Sequence, residues 1–201
     1  MMKKVLSSAL LLASISASAG ENYFSNEWDA KGLIAIEGAG GSLSLKQENG
    51  STITSEDNTG AGSVALKLGG ESKYYRLFLD GRYYMLDASG FESSKAASLG
   101  LQIDYLIRAG EHFNIFMGLN GGGIYSKFQK DAISTGTPAA QYTNKDGYLG
   151  AQVGVNIDII DNLGVELGLR AKHVFAAEDV LAISNSYDGY AAIVFKFTGE
   201  Y

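Results

Sequence analysis

The run Lys73-Tyr74-Tyr75-Arg76-Leu77-Phe78-Leu79-Asp80-Gly81-Arg82-Tyr83-Tyr84-Met85-Leu86 carries two chemistries in strict alternation. Its odd positions from Tyr75 read Tyr75, Leu77, Leu79, Gly81, Tyr83 and Met85. Its even positions read Tyr74, Arg76, Phe78, Asp80, Arg82 and Tyr84, with two arginines and an aspartate among them. Successive side chains of a strand point to opposite faces, so the run predicts a β-strand with an apolar face backed by a charged one. Tyr75 and Tyr83 stand on the apolar face. At about 3.3 Å per residue and a tilt of roughly 40°, they are on the order of 20 Å apart along a barrel axis, close to the roughly 25 Å apolar band that aromatic girdles bracket in outer-membrane barrels. A soluble sandwich gives the same alternation with its polar face in water. The decision therefore rests on how often the pattern recurs and on where the chain is sent.

The amino terminus supplies the destination. Lys3 and Lys4 precede an apolar stretch from Val5 to Ile15, followed by Ser16-Ala17-Ser18-Ala19. A basic start, a short apolar core and an Ala-x-Ala site predict a cleaved secretory signal over residues 1–19, with Gly20 the first mature residue. The apolar stretch is too short to span a bilayer, which takes about 20 residues. Residues 20–31 are expected to form a periplasmic segment ahead of a barrel over 32–201.

Composition agrees with many strands and few helices: Gly 26, Tyr 12 and Phe 9 stand against Pro 1. The absence of cysteine in an exported chain means that disulfides do not stabilise it. Loss of Lys3 and Lys4 with the leader takes the formal net charge from -6 to -8, the wrong sign for a nucleic-acid partner. The 201 residues less the leader leave 182, which suits eight strands of about 10 residues plus loops.

Eight such segments can be placed. The first is predicted from about Gly32 to Leu45, with Gly38, Gly40 and Gly41 marking a bulge or close approach. The second, about Ala61 to Leu68, sets Val64, Leu66 and Leu68 against Lys67. The third is the run above. The fourth, about Ala96 to Arg108, sets Leu99, Leu101, Ile103, Tyr105 and Ile107 against Gln102, Asp104 and Arg108. The fifth sets Phe113, Ile115, Met117 and Leu119 against Asn114, Gly118 and Asn120. The sixth sets Leu149, Ala151, Val153, Val155 and Ile157 against Gln152, Gly154, Asn156 and Asp158. The seventh sets Val165, Leu167 and Leu169 against Glu166, Arg170 and Lys172. The eighth sets Ala191, Ile193, Phe195 and Phe197 against Tyr190, Ala192 and Lys196. Leu77, Leu79, Leu101, Ile103, Val153, Val155, Leu167 and Ile193 are expected to face acyl chains.

Connection lengths alternate. Gly69-Gly70-Glu71-Ser72, Ala109-Gly110-Glu111 and Asp161-Asn162 read as tight turns. Lys46–Gly60, Asp87–Lys95, Phe128–Lys145 and Ala176–Asp188 read as longer polar loops. Short periplasmic turns and longer external loops are the rule for these barrels. The third loop is the longest and holds the one proline, Pro138, within Thr135-Gly136-Thr137-Pro138-Ala139-Ala140. That composition opposes a regular ladder.

With its leader, eight strands, alternating connections and an aromatic last strand, the chain resembles the small eight-stranded outer-membrane β-barrels, namely the OmpA-type membrane domain and the OmpX/Ail group, across essentially all of its mature length. The resemblance implies an all-β fold, an eight-stranded antiparallel up-and-down transmembrane β-barrel in the outer membrane of a Gram-negative cell. It implies outer-membrane lipids and lipopolysaccharide as surroundings. The last strand, Gly189 to Phe197, is similar to the carboxy-terminal signal read by the barrel assembly machinery, with Tyr201 in phase as a terminal aromatic. OmpA-type proteins often add a peptidoglycan-binding domain after the barrel. This chain stops at its last strand, so tethering of that kind is not expected.

Parity aims Lys67, Arg76, Arg82, Arg108, Arg170, Lys172 and Lys196 into the lumen with Glu37, Asp80, Asp104, Asp158 and Glu166. Eight strands leave an interior just wide enough for side chains to fill, and an unpaired buried charge costs several kcal/mol. A lumen charge network is therefore predicted, with Arg76, Arg82 and Arg170 neutralised by Asp80, Asp104 and Glu166. The alternative is a charge-lined channel. No enzyme is expected. Barrel lipid A deacylases use a His and a Ser two residues apart on the lipid face; His173 has the right face, but Phe175 stands where the serine would be. His112 falls at a turn. Gly121-Gly122-Gly123 lacks the Lys-Ser/Thr of a phosphate loop and reads as close packing in the wall. No cofactor or metal motif is present. Two roles remain: a structural and surface-interaction (adhesin-like) barrel whose loops meet a host or other surface ligand, or a narrow porin or small-ligand transport channel. Trp28, within Glu21 to Lys31, either anchors the amino terminus at the membrane face or packs under the barrel.

Overall fold

The computed structural model describes residues 31–49, 52–87, 93–130, 140–175 and 181–198. Eight strands follow one another: β1 Lys31–Asn49, β2 Thr52–Glu71, β3 Tyr75–Asp87, β4 Ser93–Arg108, β5 Phe113–Lys130, β6 Ala140–Ile160, β7 Leu163–Phe175 and β8 Leu181–Thr198. Each pairs antiparallel with its sequence neighbours, and β1 also pairs with β8, so the sheet closes on itself. The closing register sets Ile36 between Leu66 of β2 and Ile193 of β8. Up-and-down order needs only hairpins, which is why a chain with no long connection can build it.

The period-2 phase read from the sequence holds in all eight strands. Leu77, Leu101, Ile103, Val153, Leu167 and Ile193 are exposed, and Leu79 and Val155, in the same phase, are half-buried. On the opposite phase Phe78 and Phe116 are 0 % exposed in the barrel interior. The outer wall is thus apolar and the core is the lumen, the reverse of a soluble protein. Near the turns the wall ends in aromatics: Tyr75 stacks edge-on against Tyr105 with ring centroids 5.4 Å apart, and Phe113 and Phe197 are exposed on other strands at the same end.

The strands run longer than the alternation predicts. Most of Lys46–Gly60 belongs to the β1–β2 ladder, where Ser44 pairs with Asn58 and Lys46 with Glu56. Much of Phe128–Lys145 is ladder too, with Lys127 opposite Thr143 and Lys130 opposite Ala140. β8 begins at Leu181, so Asp188 is a strand residue and not part of a loop. Backbone pairing does not need an apolar face, so a hairpin can continue where both of its faces are polar and the alternation fades. Glu71, assigned to a turn, ends β2 and is buried in the lumen. The proposed leader, residues 20–30, the Thr135–Ala139 stretch with Pro138, and Tyr201 lie outside the described residues.

Glycines in the wall do not mark a bulge at Gly38 to Gly41; the register shifts of β1 fall at Gln47/Glu48 and Ser44/Leu45. Close approach is the better description for some of them. A Cβ on Gly118 would lie 2.1 Å from Asp104 Oδ1 and 2.4 Å from the Ile103 carbonyl, and one on Gly122 would lie 2.2 Å from the Leu99 carbonyl. A Cβ on Gly38 meets nothing within 4 Å. Gly118→Ala should therefore destabilise the barrel by roughly 1–3 kcal/mol, the usual cost of overpacking, while Gly38→Ala should leave stability unchanged. Urea unfolding in detergent micelles measures both, and equal midpoints for the two variants would contradict this packing.

Candidate functional site

The interior is built from the inward phase of every strand, and its chemistry changes from one end to the other. At the end carrying the three turns, β8 supplies Lys196, β2 supplies Glu71 and β6 supplies Asp158. The Lys196 ammonium lies 3.2 Å from Glu71 Oε1 and 2.9 Å from Asp158 Oδ1. Below this triad the mouth widens into a vestibule of about 530 Å³, bordered among others by Lys31, Arg108, Glu111, His112 and Asp161. Arg108, predicted to join the lumen network, does not. It is exposed at the strand end, and its Nε donates to the Lys73 carbonyl at 3.0 Å. Parity placed it on the correct face, but the last residue of a strand sits at the mouth and not within it.

One layer further in, Arg76 is fully enclosed. Its Nη2 lies 2.9 Å from Asp104 Oδ2 and 2.8 Å from Glu166 Oε2. Its guanidinium is sandwiched between the rings of Phe78 and Phe116, at 5.0 and 4.8 Å from their centroids. The arginine plane suits this place because it can bond at its edge and stack on its face. Gln102 and Gln152 both donate to Asp104, at 2.8 and 2.5 Å.

The next layer centres on Glu37. Arg170 grips it with two parallel bonds, Nη1 to Oε1 and Nη2 to Oε2, each 2.9 Å. Arg82 Nη2 lies 2.7 Å from Oε1, and Lys67 pairs with Oε2. One carboxylate thus faces three cations. Asp80 shares the excess positive charge through Arg82 at 2.9 Å, and Asp188 through Arg170 at 3.5 Å. The expectation that Arg170 is neutralised by Asp80, Asp104 or Glu166 is corrected: its partners are Asp188, its cross-strand neighbour on β8, and Glu37 of β1, which closure of the barrel brings to it across the β1–β8 seam. Gln152 joins the two layers, accepting from Arg170 Nε at 3.2 Å while donating to Asp104. Tyr190 spreads its ring under Arg170 at 4.3 Å and Lys67 at 5.1 Å.

Lys172 stands apart. Its ammonium donates to the Tyr84 hydroxyl at 2.8 Å and lies 4.7 Å from the Tyr148 ring centroid. Above it, towards the loops, the lumen holds an apolar cluster set among buried polar side chains such as Ser98, Ser126 and Asp146. Leu43, Leu45, Ile124, Phe128, Val174 and Ile183 pack with Tyr84 and Tyr148 into one buried cluster, with Phe128 0 % and Ile183 1 % exposed.

Of the predicted set, Lys67, Arg76, Asp80, Arg82, Asp104, Glu166 and Arg170 come together in two linked layers, Lys172 adjoins them, and Arg108 lies outside. The reading missed Glu71, Asp188, Gln152 and Tyr190 as members of the network. Glu71 and Asp188 share the parity of Lys67 and Tyr190, so extending the second strand by three residues and the last by one would have found them. Leu43, Tyr84, Tyr148 and Val174 of this cluster share the phase of Glu37, Arg82, Gln152 and Lys172, so their inward direction follows from parity, whereas Ile183 is out of phase with Tyr190 and turns inward through the register shift at Ser44/Leu45. His173 points outward, with Nδ1 2.9 Å from Asn185 Oδ1 and its ring edge-on to Phe175. Among the described residues no group of His, Cys, Asp and Glu is arranged to hold a metal.

No protein-family model and no curated protein sequence matches the chain. Solved structures do. Neisserial surface protein A superposes with a TM-score of 0.58 at 12% identity over 85% of this chain and 99% of its own. Ail, the attachment invasion locus protein of Yersinia pestis, solved with the heparin analogue sucrose octasulfate, gives 0.50 at 13% identity over 83% and 99%. At such identities the likeness is one of architecture, and it agrees with the wall and lumen described above. The chain is a closed eight-stranded antiparallel barrel of the outer-membrane type.

Proposed function

We propose that this chain is an outer-membrane barrel with a closed interior, acting as a structural and surface-interaction protein through the loop end and not as a conduit. The observation that carries this is the filled lumen. Its cations are matched by carboxylates, tyrosine and aromatic faces in successive layers, and the passage towards the loops runs through a packed apolar cluster. Ions do not cross a packed apolar constriction without opening it. The exposed Leu, Ile, Val and Tyr of the wall fit acyl chains and headgroups, which supports the outer-membrane location, lipopolysaccharide as a neighbour and assembly by the barrel machinery. A heparin analogue was bound to Ail, a protein of the same fold. That supports ligand capture as a use this architecture can serve.

Three outcomes are expected. The purified chain in a planar bilayer should show no stable ohmic conductance; a large, steady conductance would instead establish the narrow-pore reading. Glu37→Gln leaves Lys67, Arg82 and Arg170 facing a neutral amide and should cost about 3–5 kcal/mol, the scale for breaking a buried ion pair. Urea unfolding from lipid vesicles reads that loss, and an unchanged midpoint would show that water already screens the network. Replacing residues 131–139 by a short Gly-Ser turn should leave folding and heat resistance intact while abolishing attachment of cells that display the chain. Full attachment by that variant moves the contact to the other loops.

A further inference from the structure

The outer wall carries a charged feature that the lumen network does not absorb. Lys95 of β4 and Lys127 of β5 are directly opposite each other in the antiparallel ladder. Lys145 of β6 is diagonal to Lys127, whose direct partner on that strand is Thr143. All three have the outward phase of Leu99, Tyr125 and Leu149; Lys95 and Lys145 are exposed and Lys127 is half-buried. Directly opposite side chains stand about 5 Å apart at Cβ and diagonal ones about 7–8 Å, and like charges so placed repel. Among the described residues none of the three lysines forms a salt bridge. Asp87, one ladder step beyond Met85, is the one carboxylate on the same phase of β3 to β6. The cluster therefore keeps an excess of positive charge on the outside of the barrel.

Its height on the wall is fixed by the register. Tyr83 is opposite Ala97, Ala97 opposite Tyr125, and Tyr125 opposite Lys145. Tyr83 and Tyr125 are exposed, and Tyr83 stands eight residues along β3 from Tyr75 of the turn-end aromatics. Exposed tyrosines at the two ends of the apolar wall mark the two headgroup levels. The lysines lie in the loop-end tyrosine row or one step beyond it, where an ammonium on a flexible stem reaches headgroups.

The wall beneath them is bare. Gly123 and Gly147 are opposite each other, flanked in their row by Leu99 and Phe175. Internal packing does not require either glycine. A Cβ on Gly123 would meet only the Asp146 carbonyl, at 3.9 Å, and one on Gly147 only the Gly122 carbonyl and Phe175 Cδ2, each at 3.9 Å. Two adjacent positions without side chains leave a shallow furrow on the hydrocarbon side, directly under the cations.

We propose that Lys95, Lys127 and Lys145 hold the headgroup phosphate of an anionic lipid in the loop-side leaflet, with an acyl chain seated over Gly123 and Gly147. This rests on the outer-membrane reading and names one partner of that wall. Lysine ammoniums bind phosphate as point charges, and one phosphate relieves the repulsion between all three. A free phosphate would meet the charges and leave the furrow empty, so the wall favours a lipid.

The test folds the chain into phosphatidylcholine vesicles containing phosphatidic acid, whose headgroup is a phosphomonoester. After extraction into dodecyl maltoside and washing, native mass spectrometry counts the lipid retained. Phosphatidic acid should be retained several-fold over phosphatidylcholine. Lys127→Gln should lower that preference several-fold, and the triple change of Lys95, Lys127 and Lys145 to Gln should abolish it, with the heat-modifiable gel shift of a folded barrel kept in both. Lys73→Gln, at the turn end, should retain lipid as the parent does. Gly123→Phe should weaken retention by filling the furrow. Undiminished retention by a folded Lys127→Gln or triple variant would overturn the site, and an equal loss in Lys73→Gln would reduce it to general charge. Displacement of the lipid by inorganic phosphate at matched concentration, or indifference to Gly123→Phe, would overturn the lipid as occupant. A chain that does not enter vesicles at all would overturn the membrane reading itself, whereas an inserted barrel without preference for phosphatidic acid overturns this site alone.

Discussion

Closure of β1 onto β8 is the constraint from which the rest of the molecule follows. A sheet edge carries a row of unpaired N–H and C=O groups, and in hydrocarbon each costs several kcal/mol. Pairing along the seam, from Lys31 opposite Thr198 to Gln47 opposite Leu181, removes that row from the described barrel. Closure with only eight strands also fixes how narrow the interior is. Half of every strand must then fit inside a space with room for side chains and little else.

The layered lumen is the consequence of that narrowness. Lys67, Arg82 and Arg170 come from three different strands and converge on Glu37 because no wider space exists in which to stay apart. Bringing charges together in a low-dielectric interior sets desolvation against attraction, and the two nearly cancel unless hydrogen bonds complete the geometry. The fork of Arg170 on Glu37 and the amide relay through Gln152 supply such bonds. Phe78, Phe116 and Tyr190 supply ring faces for cations that carboxylates cannot fully surround. A network of this kind adds little net stability over an apolar filling, but it specifies which strands meet and in what register.

The two ends of the barrel differ in kind. The turn end is charged, with Arg108 and the Lys196 triad around an open mouth. The loop end holds the buried apolar cluster of Leu43, Phe128, Ile183 and their neighbours. The long hairpins carry polar residues beyond this cluster, as a surface facing solvent does.

By itself the sequence determined the strand count, the phase of each strand and the sign of each face. These depend only on a period of two and on which side chains hydrocarbon will accept. Lys73 to Leu86 shows both in fourteen residues. Tertiary structure alone decided the partners. Arg170 and Glu37 are 133 residues apart, and parity says only that both point inward. Which of the inward charges meet depends on how far adjacent strands are staggered around the closed barrel. The same stagger put Arg108 at the mouth, drew Glu71 and Asp188 into the network and gathered Leu43 and Ile183 into one apolar cluster. Strand ends were illegible for a related reason. Where the wall leaves the membrane the apolar face is no longer required, yet the backbone ladder continues, so the hairpins outrun the alternation that revealed them.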